Sequence, residues 1–332
     1  MVDRVPEGWP VVALYPEQSP DTGYGRNASG AWRYFRPATP GAVNAGEGFT
    51  GVVADTKFLP RRGVFSGPQM VAISCETPGA VIRYTVNGTV PTATTGTVYS
   101  GPVAVNVSTV IRAAAFAPGL APTNVDTHSY ILPETVASQA GMVAAVTGNA
   151  VWGPQIPAAL RDLPVVSVAT PSTAAINNDA EVAGNIEWLD QANGVSASAG
   201  MGLTYFGGAF TNFAKKSFRL YFRDNYGAPR FEAPLFTGAD HGTDAVTSFD
   251  SIELRSGSHD MVDRGFYMSN LFTDQAMMEM GHVSPHGRMV HLFLNGTYWG
   301  MYHLRERWNA AMMADYLGGS KEEYEAINGN YN

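Results

Sequence analysis

Lys215-Lys216-Ser217-Phe218-Arg219-Leu220-Tyr221-Phe222-Arg223 is the stretch on which the fold turns. In an extended chain successive side chains alternate between faces, so Lys216, Phe218, Leu220 and Phe222 share one face. Lys215, Ser217, Arg219 and Tyr221 share the other. A lysine beside three apolar groups is expected at a partly buried site, where it must meet an anion or bear a large desolvation cost. Just upstream, Gly200-Met-Gly202-Leu-Thr-Tyr-Phe-Gly207-Gly208 is rich in glycine. Glycines let backbone approach closely and an ammonium neutralises phosphate charge, so the pair suits phosphate recognition. Taken alone, the same letters equally describe a solvated hairpin beside an exposed Lys-Lys pair.

The neighbouring segments mix strands and helices. Pro164-Val-Val-Ser-Val-Ala169 is a buried strand by its β-branched run, and Phe249-Asp-Ser-Ile-Glu-Leu-Arg-Ser256 is another. Arg264 to Gly281 carries a Met-rich amphipathic helix pattern. Val290 to Glu306 reads as a hairpin about Asn295-Gly296, and Ala310 to Leu317 as a helix stopped by Gly318-Gly319. Residues 163–332 are therefore expected to be mixed α/β.

Upstream the texture is that of short strands. Val71-Ala-Ile-Ser74, Ala80–Val86, Val103–Val107, Val110–Phe116 and Ser129–Leu132 alternate with polar turns, and Asn87-Gly88 is a hairpin signal. That spacing predicts a β-sandwich over 64–132. Residues 133–162 read as a connector with one short helix. Residues 1–48 are turn-rich and hold too little core material to fold alone.

Bulk composition agrees with several small domains. At 332 residues, a prior of about one domain per 150 residues gives two or three. Few charged residues (15%) with 36 Gly and 21 Pro suit strands and turns better than long surface helices. A net charge of −8 argues against a nucleic-acid or anionic-membrane surface. The single cysteine, Cys75, permits neither an internal disulfide nor a cysteine-built zinc site, and its strand context suits a buried inert thiol. No window approaches the ~18 apolar residues of a membrane span. The start, MVDRVPEGWPVV, lacks a signal-peptide layout and reads as the middle of a domain.

Three family resemblances follow from these motifs. Pro20-Asp-Thr-Gly-Tyr-Gly-Arg26, Trp32 and Ala38-Thr-Pro-Gly-Ala-Val-Asn44 resemble the closing segment of a lamin-tail domain, so 1–48 is expected to be its C-terminal remnant. Pro78-Gly-Ala-Val-Ile-Arg-Tyr-Thr-Val-Asn-Gly-Thr-Val-Pro91, Tyr99-Ser-Gly-Pro102 and Ile111–Phe116 resemble the chitobiase/hexosaminidase C-terminal type of domain. That resemblance implies an immunoglobulin-like spacer; Tyr84, Tyr99 and Tyr130 are candidates for stacking on sugars or, more simply, core residues. Leu163-Pro-Val-Val-Ser, Lys215–Leu220 with Tyr226-Gly227, Leu235-Phe236, Phe249–Arg255, Asn295-Gly-Thr-Tyr-Trp-Gly-Met-Tyr302, Leu304-Arg-Glu306 and Tyr316-Leu-Gly-Gly319 together resemble the CotH (spore coat protein H) kinase-like family. The expected fold is thus an immunoglobulin-like β-sandwich followed by the N-terminal portion of a mixed α/β atypical protein-kinase-like domain, over 163–332.

The CotH resemblance implies binding of ATP with magnesium and phosphorylation of protein Ser or Thr. By position it gives nucleotide contact to Lys216, on the facing argument, with Lys215 close behind, Arg219 as a second cation, and Gly207 and Gly208 in the glycine turn. Glu306 is a candidate ribose or adenine contact, or else the partner of Arg305 or Arg307. Asp274 or Glu279 is a candidate for orienting the lysine, or else part of a solvated helix face. Thr204 and Phe210 stand where many members carry Arg and Ser. Catalytic and metal-binding aspartates are expected beyond Asn332, so no catalytic or metal residue is assigned and this stretch alone is expected to be inactive. His282, His286 and His291 read as hydrogen-bonding structural groups, while His259 and Asp260 are cleft-lining candidates.

The leading expectation is an extracellular or cell-envelope bacterial protein with a CotH-type kinase domain acting on a protein substrate. The alternative is a non-catalytic adhesion or glycan-binding protein that uses the CotH-like part as a scaffold and binds cell-surface glycan through 64–132.

Overall fold

The structure, a computed structural model, describes residues 22–207, 214–257 and 265–325. Among them, seven strands close into a barrel in the order Val165–Ala169, Val182–Asp190, Val195–Phe206, Ser217–Tyr221, Ser251–Arg255, Thr297–Glu306 and Gly287–Leu294. Neighbours run antiparallel except at the closure, where Val165–Ala169 lies parallel to Gly287–Leu294. Period-two alternation sends Phe218, Leu220, Ile252, Leu254, Leu292 and Leu304 into one core with Trp188 and Met201. The apolar face read around Phe218 is this interior.

Helices supply the mixed α/β character from outside the barrel. Ala310–Leu317 begins where Asn309 accepts a hydrogen bond from Met312 N at 2.8 Å, and ends at Gly318, whose φ is +82°. Ser269–Glu279 differs from the amphipathic helix expected over 264–281. Only Leu271 and Asp274 are buried on it, and Phe272 is 66% exposed. Its methionines do not gather on the buried side, so no apolar stripe holds it down.

Upstream, two sheets form the sandwich. One runs Gly63–Val64, Asp126–Ile131, Thr109–Phe116, Val81–Thr85, Thr97–Val98; the other runs Thr56–Leu59, Gln69–Cys75, Val103–Val105. Val71, Ile73, Val105, Ile111 and Tyr130 fill the space between them. The strand Thr56–Leu59 pairs with Gln69–Cys75, so the sandwich takes in residues before 64; four residues were too short a run to read as alternation. Asn87-Gly88 is not a two-residue hairpin turn either. Val81–Thr85 meets Thr97–Val98 across a loop spanning 86–96, and Asn87 instead accepts from Thr89 N and Oγ1. The tyrosines are core groups: Tyr130 is fully enclosed, and Tyr99 accepts from Ile73 N and meets Tyr84 edge-on. Cys75 is half-buried against this core with its thiol toward Ala54 O.

Gly23–Arg26 and Trp32–Phe35 pair as a hairpin on which Tyr24 stacks on Trp32 at 5.2 Å; residues 1–21 lie outside the described residues. The stretch after the sandwich holds three short helices rather than one: Pro133–Val136, Ala144–Thr147 and Ile156–Asp162. Proline in the first turn starts the first and third, a signal that the Ala/Gly/Val composition hid. Val136 and Leu160 pack with Val165, Leu189 and Phe293 and close this side of the barrel.

Sandwich and barrel meet through two Asn-Gly pairs. Asn295 (φ +49°) and Gly296 (φ +81°) form the tight barrel hairpin, and the Asn295 amide bridges Thr170 N and Thr170 O at 2.9 Å each. Gly88 sits against it with φ +82°, and a Cβ there would collide with Asn295 Oδ1 and Thr170 O. Gly88→Ala is therefore expected to destabilise the protein by about 2–4 kcal/mol, from left-handed strain plus overpacking. Urea unfolding checks this, and a loss below about 0.5 kcal/mol, the scatter of ordinary surface changes, would show that the seam simply opens.

Candidate functional site

The glycine-rich segment folds as strand rather than as a loop. Gly200 and Gly202 lie inside Val195–Phe206, where the chain at Tyr226 crosses directly over them. A Cβ at Gly200 would strike Tyr226 O, and one at Gly202 would meet the Tyr226 ring and Glu181 Oε2. These two glycines make room for the protein's own backbone and ring. Gly207, with φ +127°, ends the strand, and Gly208 and Phe210 lie outside the described residues.

Lys215 and Lys216 are both half-buried, and Lys215 is the one set against aromatic rings. Its Nζ stands 4.6 Å above the Tyr302 ring and 4.9 Å from that of Tyr267. It donates to Tyr267 Oη at 3.0 Å and to Met301 O. Burial, with no carboxylate beside it among the described residues, pushes the ammonium down to about 8. Strand pairing starts at Ser217, so the alternation that placed Lys216 inward does not reach the lysines. Lys216 is half-buried, and its carbonyl accepts from Tyr302 Oη at 2.8 Å.

Arg219 opens a ladder of alternating charge on the barrel's outer wall. Register sets Arg219 opposite Glu253, and Glu253 opposite Arg305. Arg219 grips Glu253 through Nε (3.1 Å) and Nη2 (2.7 Å), and its guanidinium lies over Phe206 at 4.6 Å. Arg305 stands 3.8 Å from Glu253 and 3.1 Å from Asp274, which the Ser269–Glu279 helix brings down onto the wall. Burial raises the Asp274 carboxyl while Arg305 opposes the rise. Asp274 therefore anchors its helix through an arginine and not through a lysine, and Glu279 pairs with His241 at 3.1 Å. His303 shares the wall; burial and then Arg305 hold it neutral, down to about 3.

Glu306 is only 3% exposed; Arg305 Nε reaches its backbone carbonyl, while its carboxylate is held by His286 and Tyr316. Its Oε2 accepts from His286 N (2.8 Å) and faces His286 Nδ1 (2.9 Å), while Oε1 accepts from Tyr316 Oη (2.7 Å). Tyr316 comes from the Ala310–Leu317 helix and also accepts from Val246 N. This arrangement turns both carboxylate oxygens toward the domain's own groups. A cavity of about 230 Å³ opens beside His286 and Tyr316, with His282 and His241 on its wall. His291 is structural, bonded to Ala159 O at 2.9 Å and Tyr298 Oη at 3.1 Å. His259 and Asp260 lie outside the described residues.

Lys215 and Lys216 lead into the strand that carries Arg219, while Glu306 ends another strand. The partners that define each group were not read from the sequence: Tyr267, Tyr302, Glu253, Arg305, His286 and Tyr316. Only Glu253 carried a signal, as a lone acid alternating with Ile252 and Leu254 on a buried strand.

A sandwich leading into a strand-built barrel with a buried charge ladder defines a multidomain, β-rich protein. Its two parts match known families. Residues 60–127 match the model of the chitobiase/beta-hexosaminidase C-terminal domain, and residues 203–330 match that of the CotH kinase protein. The chain carries a CotH-type domain behind a chitobiase-type domain. No curated protein matches the sequence. The CotH match begins at Leu203, inside the third barrel strand, although Val165–Ala169 and Val182–Asp190 are needed to close the barrel. No helix among the described residues is long and apolar enough to cross a membrane.

Proposed function

We propose that the protein acts as a CotH-type protein kinase that binds ATP and transfers its terminal phosphoryl group to protein Ser or Thr. The observation that carries this reading is Lys215, a desolvated lysine at the barrel rim within the segment matching the CotH model. A lysine whose charged form burial disfavours gains from an incoming phosphate, which offsets that desolvation. Lys216 and Arg219 follow it as further cations, and Gly207, which ends the preceding strand with φ +127°, leaves room for close approach of a phosphate. Glu306 buttresses the domain in this reading and has no direct nucleotide role. Among the described residues no cluster of three His, Cys, Asp or Glu side chains suits a metal ion. In this reading magnesium comes with the nucleotide, and no step is assigned to it. Sandwich modules ahead of the kinase part fit an extracellular or cell-envelope setting.

One observation favours a second reading, that of a non-catalytic scaffold in an adhesion protein: Arg219 and Glu306 are already satisfied by Glu253, His286 and Tyr316.

Amine labelling separates the two. The chain has only four lysines, Lys57, Lys215, Lys216 and Lys321, so each can be followed by mass spectrometry. ATP with magnesium is expected to slow labelling of Lys215 at least about fivefold, which needs only about 1 kcal/mol of protection, and to leave Lys57 and Lys321 unchanged. Equal labelling with and without nucleotide would favour the scaffold.

A further inference from the structure

A concave site away from the barrel rim lies between the two domains. A cleft of about 560 Å³ is walled by Arg36, Arg62 and Arg112 from the sandwich side and by Arg230 from the barrel side. Two carboxylates also line it, and both are engaged: Asp126 by Thr56 and Asn124, Glu232 by Ser248. The arginines are only partly occupied among the described residues. Arg36 donates to Pro122 O at 2.7 Å and Arg112 to Gly88 O at 2.8 Å, Arg62 pairs with Glu187, and Arg230 holds Ser248 and Asp315.

At the floor of the cleft two polar groups are left over. Arg112 and Thr127 are cross-strand neighbours, 7% and 2% exposed. Arg112 Nε and Thr127 Oγ1 are sealed from bulk solvent and have no hydrogen-bond partner among the described residues. Buried polar atoms are almost always paired in native proteins, so two adjacent orphans in one cavity signal a missing partner. The missing partner must accept from a guanidinium and share the site with several more cations, which calls for an anion. A bare inorganic ion would leave much of the volume empty, whereas amide and hydroxyl groups on the wall, from Asn124, Asn185 and Ser198, suit a hydroxylated body.

We propose that this inter-domain cleft binds a sugar-sized, hydroxyl-bearing anion, with Arg112 and Thr127 gripping its carboxylate or phosphate group. Because both domains contribute walls, the ligand clamps sandwich to barrel. This site is separate from the Lys215 rim, so it stands or falls independently of the kinase reading.

Calorimetric titration and thermal shift with glucuronate, glucose 6-phosphate, inorganic phosphate and neutral glucose test it on the whole chain. Glucuronate or glucose 6-phosphate is expected to bind and raise the melting temperature, with glucose inert and inorganic phosphate weaker than glucose 6-phosphate. The stronger of the two anionic sugars tells carboxylate from phosphate. Arg112→Met is expected to weaken binding by at least about tenfold, as loss of a charged hydrogen bond does, beyond any loss of stability from the freed Gly88 carbonyl. Thr127→Val, which keeps the shape and removes the hydroxyl, is expected to weaken it a few-fold and decides the matter if the arginine variant misfolds. No binding of either anionic sugar at millimolar concentration, or binding that neither substitution weakens, would overturn the proposal.

Discussion

Replacing Arg62 with alanine is expected to lower the unfolding free energy by about 3–5 kcal/mol at pH 8, the range found when a buried pair loses one member. The other member, Glu187, has a side chain only 1% exposed, and Arg62 Nε lies 3.0 Å from its Oε1. Ser129 Oγ donates to the second carboxylate oxygen, so Ser167, 2.7 Å from Ser129, must donate to Ser129 in turn. These groups come from both domains and form the polar heart of the seam. Burial raises the Glu187 carboxyl to about 7, against the pull of Arg62. With a folded pKa above the unfolded one, the group's contribution is fullest in acid and falls as pH rises through about 7. Without Arg62 the carboxyl rises further, and that fall extends to higher pH. The gap between parent and variant should therefore widen from pH 5 to pH 8 in urea unfolding. Adding Glu187→Gln should recover most of the loss, because a neutral amide needs no counter-charge. A gap equal at both pH values, or below about 1 kcal/mol, would show that the pair is solvated.

Gly200→Ala is the second large expectation. In a strand interior an alanine ordinarily stabilises relative to glycine by about 0.5–1 kcal/mol, so the sign itself is informative. Here the new methyl would drive into Tyr226 O, a backbone atom that cannot rotate away. The segment at Tyr226 and Gly227 must lift off the strand, and the expected cost is about 3 kcal/mol, at the upper end of overpacking penalties. Gly202→Ala meets a ring and a carboxylate tip that can shift, so its cost should be smaller. Thermal unfolding of the two variants checks both the sign and the order. If Gly200→Ala stabilises the protein, the crossing at Tyr226 is wrong.

Those glycines also show why parts of the site were not legible in sequence. Glycine marks close approach, but what approaches Gly200 is Tyr226, 26 positions on in the numbering and on no common element. Local signals read well: Val165–Ala169, the hairpin about Asn295-Gly296 and the helix Ala310–Leu317 each follow from residues adjacent in the chain. The inward face of Phe218 and Leu220 was equally plain, because alternation is a property of one strand. Barrel closure was not, since it depends on a parallel pairing between Val165–Ala169 and Gly287–Leu294. Lys216 was favoured over Lys215 by extending the alternation two residues past the start of the strand. Glu306 took its partners from His286 and Tyr316, which only the packing of a strand and a helix brings together.

The most direct measurement of the central claim is amide hydrogen exchange across the chain with and without ATP and magnesium, paired with thermal shift. A raised melting temperature and slowed exchange over residues 215–221 are expected, lost in Lys215→Met and retained in Arg112→Met. No protection of 215–221, or a shift that survives Lys215→Met and disappears in Arg112→Met, would contradict it; the second outcome would place the nucleotide in the inter-domain cleft.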